Sequence, residues 1–433
     1  MASLHPILKK SYWILASLGG AYAIFMLMLI NPWIQRHALY AHRINSGFWY
    51  NVSNPEEFGF AKGQVTPFNL TTADGESLFC WHVLPLDVYL KHENEIAQKA
   101  TEHAEDLTLT VGYKLLKKDH KSKVVINFHG NAGHIADGHR PATYRSISGI
   151  PHTHLITCDY RGFGRSTLLN APHIPTEPGL IIDGVSIVSY VLTSLQHPAS
   201  RTLLLGQSLG TAVTTATALY FTTPSSPLLP SLPIPTAPPS TPTPFAAILL
   251  IAPFPTLPTL LQTYKIKGVI PILSPLRAYP RLSTYLSSKI ADHWPTQPRL
   301  EALLSAENAP LRLSLLHARN DQDIDFRLSE SIFDALEARL LSGAEGALSA
   351  QERRSIQGGE RVRRGAFAYR RVEDADAARG GKGGKSVELE IVRYGGHNEI
   401  VGFAQVGLAV RRAFREAEVE GGGGRFRPGL DVE

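Results

Sequence analysis

The chain has 433 residues, 43% hydrophobic and 19% charged, enough for one large core with insertions or two modest ones. Its formal charge is +5, and the 43 basic residues are spread along the chain rather than gathered in one patch, which argues against nucleic acid and is compatible with an anionic membrane surface. The two cysteines, Cys80 and Cys158, make neither a disulfide framework nor a metal-ligand spacing, Cys158 reads as a buried free thiol in an apolar strand, and no metal or cofactor is expected.

Residues 13–30 form an uncharged apolar run preceded by Lys9 and Lys10 and followed by Trp33, Arg36 and Arg43. A run of about 20 apolar residues matches the hydrocarbon thickness of a bilayer. Tyr12, Trp13 and Trp33 suit its two interfaces. A cleaved signal peptide would have a shorter apolar region ending in small residues, and Asn31-Pro32-Trp33 offers no such site. The expected organisation is therefore a single-pass anchor over residues 1–43, with the span at about 12–31. The flanking positive charges nearly balance and leave orientation open. Two glycosylation sequons, at Asn51-Val52-Ser53 and Asn69-Leu70-Thr71, favour a lumenal or extracellular globular part.

After the anchor, residues 65–72 and 76–85 alternate in the manner of strands, and residues 91–107 read as a charged helical surface insertion. A regular alternation follows. Strands are expected over residues 123–129, 153–160, 202–205, 246–252, 311–317 and 387–394, with helices around 137–148 and from an N-cap at Thr176 to about residue 196. Short apolar strands separated by helices imply an α/β fold with a mostly parallel central sheet flanked by helices. This α/β unit is expected to span 44–415. It is interrupted by a Pro/Ser/Thr-rich extended or disordered insertion at about 222–245, a lid at about 255–300, and a Gly/Ala/Arg/Glu-rich loop or partly helical insertion at about 343–385, and is followed by a flexible tail at 416–433.

The chemistry is written at the strand ends. Gly206-Gln207-Ser208-Leu209-Gly210 follows an apolar strand and precedes small and β-branched residues, the pattern of a turn that lifts a nucleophilic serine to the top of a sheet. A side chain at Gly206 or Gly210 would crowd that turn. His129-Gly130-Asn131-Ala132-Gly133 closes an earlier strand, so the backbone N–H groups of Asn131 and Leu209 are candidate oxyanion donors, while His129 is expected to shape the loop. Arg161, in Asp159-Tyr160-Arg161-Gly162-Phe163-Gly164, is expected to hold a loop through a carboxylate. Asp321 is the preferred carboxylate of the cluster Asp321-Gln322-Asp323-Ile324-Asp325, with Asp323 as runner-up and Asp325 as a possible helix cap. His397, after Gly395-Gly396 and the last strand, is the candidate base. The order Ser208, Asp321, His397 is the chain order of the α/β-hydrolase triad.

Together with Ala252-Pro253-Phe254, Leu316-His317-Ala318 and Gly396-His397-Asn398, these motifs resemble the membrane-anchored serine hydrolases of the α/β-hydrolase domain-containing protein 12 type over about residues 60–335 and 387–415. The resemblance implies an α/β-hydrolase fold, the triad Ser208, Asp321 and His397, and hydrolysis of monoacylglycerols or lysophospholipids at the endoplasmic reticulum by a lumenal domain. Gln322-Asp323-Ile324-Asp325 departs from the apolar, Pro-containing stretch usual at that place. Two alternatives stand beside this reading: an acyl-protein thioesterase, and a non-catalytic membrane-anchored binding protein of the same fold. The depalmitoylases anchor through N-terminal cysteines, and this chain has none before Cys80.

Overall fold

Strands buried on both faces are apolar at almost every position, and their alternate residues feed two separate cores. In the computed structural model, which describes residues 6–45, 47, 49–234, 239–266, 270–342, 367–374 and 384–421, the central strands follow this rule. Val124, Ile126, Leu204, Ile248, Leu250, Leu313 and Leu315 point to one core, and Val125, Leu203, Leu205, Leu249, Ile251 and Leu316 to the other.

The strands are β1 (Val65–Thr71), β2 (Ser77–Val83), β3 (Lys123–Phe128), β4 (Thr153–Cys158), β5 (Thr202–Gln207), β6 (Ala247–Ile251), the short pair β7 (Lys265–Ile266) and β8 (Ile270–Pro271), then β9 (Leu311–Ala318), β10 (Ala368–Glu373) and β11 (Lys385–Val392). Nine of them form one sheet in the order β1-β2-β4-β3-β5-β6-β9-β11-β10. The pairs from β4 through β11 are parallel, while β1–β2, β2–β4 and β10–β11 are antiparallel. The reversal of order at β3, with β4 on one side and β5 on the other, is a topological switch point, and ligands of open α/β sheets bind beyond the carboxyl ends of such strands.

The helices are α1 (Pro6–Met28), α2 (Pro32–Tyr40), α3 (Leu86–Gln98), α4 (Val111–Lys118), α5 (Arg140–Ser148), α6 (Glu177–Ser189), α7 (Leu209–Thr222), α8 (Leu257–Thr263), α9 (Pro280–Ser287), α10 (Thr296–Ser305), α11 (Arg327–Ser342) and α12 (Ala404–Gly421). Tyr144 and Ile147 of α5 and Val406, Val410 and Phe414 of α12 cover one face of the sheet. Residues of α6, α7, α10 and α11, among them Leu180, Val213, Leu300 and Phe333, cover the other. Thr176 caps α6 by accepting from the Gly179 N–H at 3.1 Å.

Four details depart from the sequence expectation. Residues 416–421, expected to begin a flexible tail, are the last turns of α12, and 422–433 lie outside the described residues. Cys158 is not a free thiol: it is disulfide-bonded to Cys80. The two lie directly opposite in the antiparallel pair β2–β4, a neighbourhood that their 78-residue separation in sequence does not reveal. Within the insertion expected at 343–385, Ala368–Glu373 is an edge strand on β11 rather than loop or helix; residues 343–366 and 375–383 lie outside the described residues. In the Pro-rich insertion, Leu228, Leu229, Leu232 and Ile234 pack against the main core, and the Leu228 carbonyl accepts from Arg299, so this stretch is partly structured.

α1 is long and apolar enough to cross a membrane and projects from the body with most of its large side chains exposed. A turn at Leu29–Ile30 separates it from α2, which Asn31 caps through its side-chain oxygen to the Trp33 and Ile34 N–H groups. α2 belongs to the body: Tyr40 at its end is fully buried.

Candidate active site

The elbow is a steric consequence of two glycines. A Cβ at Gly206 would lie 2.4 Å from the Gly210 carbonyl oxygen, and one at Gly210 would lie 2.1 Å from that of Phe128. Only their absence lets β5, the start of α7 and the end of β3 pack this closely. Ser208, between them, has φ 52° and ψ −120°, an unfavourable conformation for a residue with a side chain. It is held by its own N–H, which donates to the Ile251 carbonyl at 2.9 Å, and by its carbonyl, which accepts from the Thr211 hydroxyl at 2.6 Å.

His397 meets this serine from the loop after β11. Gly395 and Gly396 both have positive φ, which lets the chain reverse immediately after the strand. His397 Nε2 is 3.1 Å from Ser208 Oγ, and His397 Nδ1 is 2.8 Å from Asp321 Oδ2. A carboxylate only accepts, so Nδ1 carries the proton and Nε2 is free to accept the serine O–H. Gln207 fixes the histidine backbone by donating to its carbonyl at 3.0 Å.

Asp321 leaves the end of β9 and is fully buried in its side chain. Oδ1 accepts the N–H groups of Asp323 and Ile324 at 2.9 and 2.8 Å, while Oδ2 faces His397 and also His317 Nε2 at 3.2 Å. His317 Nε2 also faces the Ile324 carbonyl at 3.0 Å, so it carries the proton and its Nδ1 accepts from Ser329 at 2.7 Å. Burial would raise the Asp321 pKa, but the hydrogen bonds from His317 and His397 outweigh it and hold the carboxyl well below its ordinary range. Burial likewise lowers His397, and the Asp321 hydrogen bond and charge outweigh it and raise the imidazole above its ordinary value. Of the acidic cluster, Asp321 reaches His397, whereas the Asp325 carboxylate accepts the Arg327 N–H at the start of α11.

The loop after β3 borders the elbow, since a Cβ at Gly130 would lie 2.9 Å from Gln207 Oε1. Arg140, at the start of α5, gathers the carbonyls of this loop: it donates to Gly130 at 2.9 Å, Asn131 at 2.8 Å, Ala132 at 2.9 Å and His134 at 2.6 Å. In a trans peptide the C=O and N–H point in opposite directions. With the Gly130 carbonyl on Arg140, the Asn131 N–H therefore points away from the arginine. Leu209 is the first residue of α7, a position whose N–H has no acceptor within the helix. The far side of the loop rests on the end of α2 and the residues just after it: Leu39 O accepts from the Asn131 side chain, Tyr40 O from the Ala132 N–H at 3.3 Å, and Ile44 O from the Gly133 N–H at 2.8 Å.

His129 is buried against Tyr160 and Phe163, its Nδ1 lies 2.7 Å from the Gly130 carbonyl, and it makes no hydrogen bond to Ser208. Arg161 holds its loop through Asp74 at 2.7 Å and Asp183 at 2.9 Å. The sequence assigns no role to Arg140, Gln207 or His317, although the last two fall inside quoted motifs. Nothing in Arg140-Pro141 signals a clamp, and a histidine inside an apolar strand reads as core. Among the described residues there is no cluster of His, Cys, Asp and Glu able to hold a metal ion.

Strand order, elbow and the Ser–His–Asp arrangement define an α/β-hydrolase fold. The chain is similar to the lysophosphatidylserine lipase ABHD12 of Rattus norvegicus, with 25% identity over 213 residues covering 48% of each chain. It is also similar to that of Xenopus tropicalis, with 26% identity over 198 residues, 46% of this chain and 45% of the other. The chain thus matches about half the length of these curated relatives. No family model matches. Among solved structures, an α/β hydrolase from Vibrio vulnificus aligns with TM-score 0.47 and 12% identity over 90% of this chain and 92% of the other. The Pyrococcus furiosus esterase Pf2001 aligns with TM-score 0.42 and 13% identity over 84% and 93%.

Proposed function

We propose that this chain is a membrane-anchored serine hydrolase that cleaves the acyl ester of a lysophospholipid or monoacylglycerol. The observation that carries the reading is the unbroken relay from Ser208 Oγ through His397 to Asp321. In the first step Ser208 Oγ attacks the ester carbonyl and its proton passes to His397 Nε2, while Asp321 stabilises the imidazolium. The N–H groups of Asn131 and Leu209 stabilise the oxyanion of the tetrahedral intermediate. Collapse breaks the ester bond, His397 Nε2 protonates the departing glycerol oxygen, and an acyl-serine remains. Water attacks it with His397 as base, releasing the fatty acid and restoring Ser208.

A lipid substrate is favoured by α1, which would hold the site beside a bilayer, and by similarity to proteins named lysophosphatidylserine lipases. Lumenal placement, with the endoplasmic reticulum as the compartment, is favoured by the Cys80–Cys158 disulfide and by exposure of both sequon asparagines, Asn51 and Asn69.

A fluorophosphonate probe tests the chemistry directly. It is expected to label the wild-type chain covalently and to leave Ser208→Ala unlabelled at equal folded concentration. Labelling that persists in Ser208→Ala, or fails in the folded wild type, would overturn the hydrolase reading. A panel of lysophospholipid, monoacylglycerol and acyl-protein substrates then separates lipase from thioesterase.

A further inference from the structure

The segment after β6 is held against the anchor at a depth that α1 itself defines. Tyr22 OH donates to the Ile272 carbonyl at 2.7 Å, and Tyr22, Met26 and Leu29 pack with Leu261, Ile272, Leu273, Leu276 and Leu286 as one apolar cluster. Lys9 and Lys10 set the start of the uncharged run at Ser11. About 20 helical residues cross the hydrocarbon core, which puts its far boundary near Ile30. At about 1.5 Å per residue, Met26 then lies about 6 Å and Tyr22 about 12 Å inside that boundary, somewhat less if the helix tilts. Whatever packs on these residues shares their depth.

The composition of the segment agrees. From Pro253 to Ala291 there is no Asp or Glu, while Lys265, Lys267, Arg277, Arg281 and Lys289 are basic. On α9, Leu286 faces the anchor cluster, whereas Leu282 (46% exposed) and Tyr285 (52%), with Tyr279 (63%) just before the helix, present an apolar stripe that stays exposed among the described residues. Lys289 lies with its Nζ 5.2 Å from the centre of the Tyr285 ring, an arrangement in which an aliphatic stem stays on the apolar side and the charge reaches headgroups. The segment cannot swing freely, because α2 ties down its end: Arg36 bonds Asp292 at 3.0 Å, and Gln35 bonds the Lys289 carbonyl at 2.7 Å and the Ala291 N–H at 2.9 Å.

We propose that residues 270–289 are a second membrane-inserted element, embedded in the leaflet on the hydrolase side of the anchor, with Tyr279, Leu282 and Tyr285 against the lipid acyl chains and Arg281 and Lys289 at anionic headgroups. The proposal rests on the reading of α1 as a membrane-spanning helix and is independent of the chemistry at Ser208.

Depth measurement by fluorescence tests it on the full-length chain. The two native cysteines are buried in a disulfide, so a cysteine introduced by Leu282→Cys or Tyr285→Cys carries an environment-sensitive fluorophore alone. The labelled protein is reconstituted in phosphatidylcholine–phosphatidylserine vesicles and quenched either by spin labels on the lipid chains or by aqueous iodide. Leu18→Cys marks the membrane interior, and Leu169→Cys and Leu408→Cys mark the exposed surface of the body. Labels at Leu282 and Tyr285 are expected to be quenched by shallow lipid spin labels and shielded from iodide, with Leu18 deeper and the two body sites quenched by iodide only. Iodide quenching at both Leu282 and Tyr285 while Leu18 remains lipid-quenched would overturn the inserted segment alone. Loss of lipid quenching at Leu18 would overturn the anchor and the proposal with it. Probe labelling of Ser208 in the same samples reports separately on the hydrolase reading.

Discussion

Asp321 accepts from four donors, two backbone N–H groups and two imidazoles, and this is what separates it from its acidic neighbours. Its depressed pKa adds stability at neutral pH, which is lost as the pH falls below the ordinary Asp range toward the folded-state value. The same charge raises His397, which in its proposed role must be neutral to accept the Ser208 proton. Activity is therefore expected to fall on acidification with an apparent pKa above the ordinary imidazole value of about 6.5. In Asp321→Asn the raising charge is gone, so the acid limb should move to lower pH while kcat drops by about 10³–10⁴-fold. A pH–rate profile on a soluble ester reads both quantities, and an unmoved limb would assign it to another group. Ser208, Asp321 and His397 were legible because each follows a strand end in triad order. His317 was not, since its role depends on Asp321 folding back on it across one turn.

At the scale of elements, the elbow is the least tolerant junction. Gly210→Ala would put a methyl carbon 2.1 Å from the Phe128 carbonyl oxygen, a backbone atom that moves only if β3 moves. The expected cost is about 3 kcal/mol or more, seen as a lower denaturation midpoint or insoluble protein; a midpoint equal to wild type would refute the close-packing argument. The parallel strands were readable from apolar runs, but β10 was not. Its sequence, Ala-Tyr-Arg-Arg-Val-Glu, looks polar because its two arginines are paired with carboxylates: Arg371, nearly buried, meets Glu373, Glu388 and Glu416, and Arg370 meets Asp334 and Glu337. The β2–β4 pairing was equally hidden, and with it the disulfide. Intact protein should take up no thiol reagent until it is denatured and reduced, and Cys80→Ala/Cys158→Ala should lose about 2–4 kcal/mol of stability by denaturant titration. Prompt modification of the unreduced chain would contradict the bridge.

At the scale of the molecule, the segment read from sequence as an anchor over 1–43 contains two parts with different fates. α1 is exposed beyond its cluster with the 270–289 segment, so removing it deletes the proposed membrane attachment and little of the core. α2 is built into the site. Tyr40 is fully buried, its hydroxyl donates to Asp292 at 2.9 Å, and Trp294 Nε1 lies 3.3 Å from that hydroxyl. The carbonyls of Leu39, Tyr40 and Ile44 hold the loop that contains the proposed oxyanion donor Asn131. Without them the Asn131 side chain and two loop N–H groups lose their acceptors, and each buried group left unpaired costs about 1–3 kcal/mol. A chain beginning at Asn31 is therefore expected to keep Ser208-dependent fluorophosphonate labelling in detergent. A chain beginning at Asn45 should label at least tenfold more slowly, because the loop carrying one of its two proposed oxyanion donors is no longer held. Equal labelling rates for the two truncations would show that α2 is only a tether, and that Arg140 alone suffices to shape the loop.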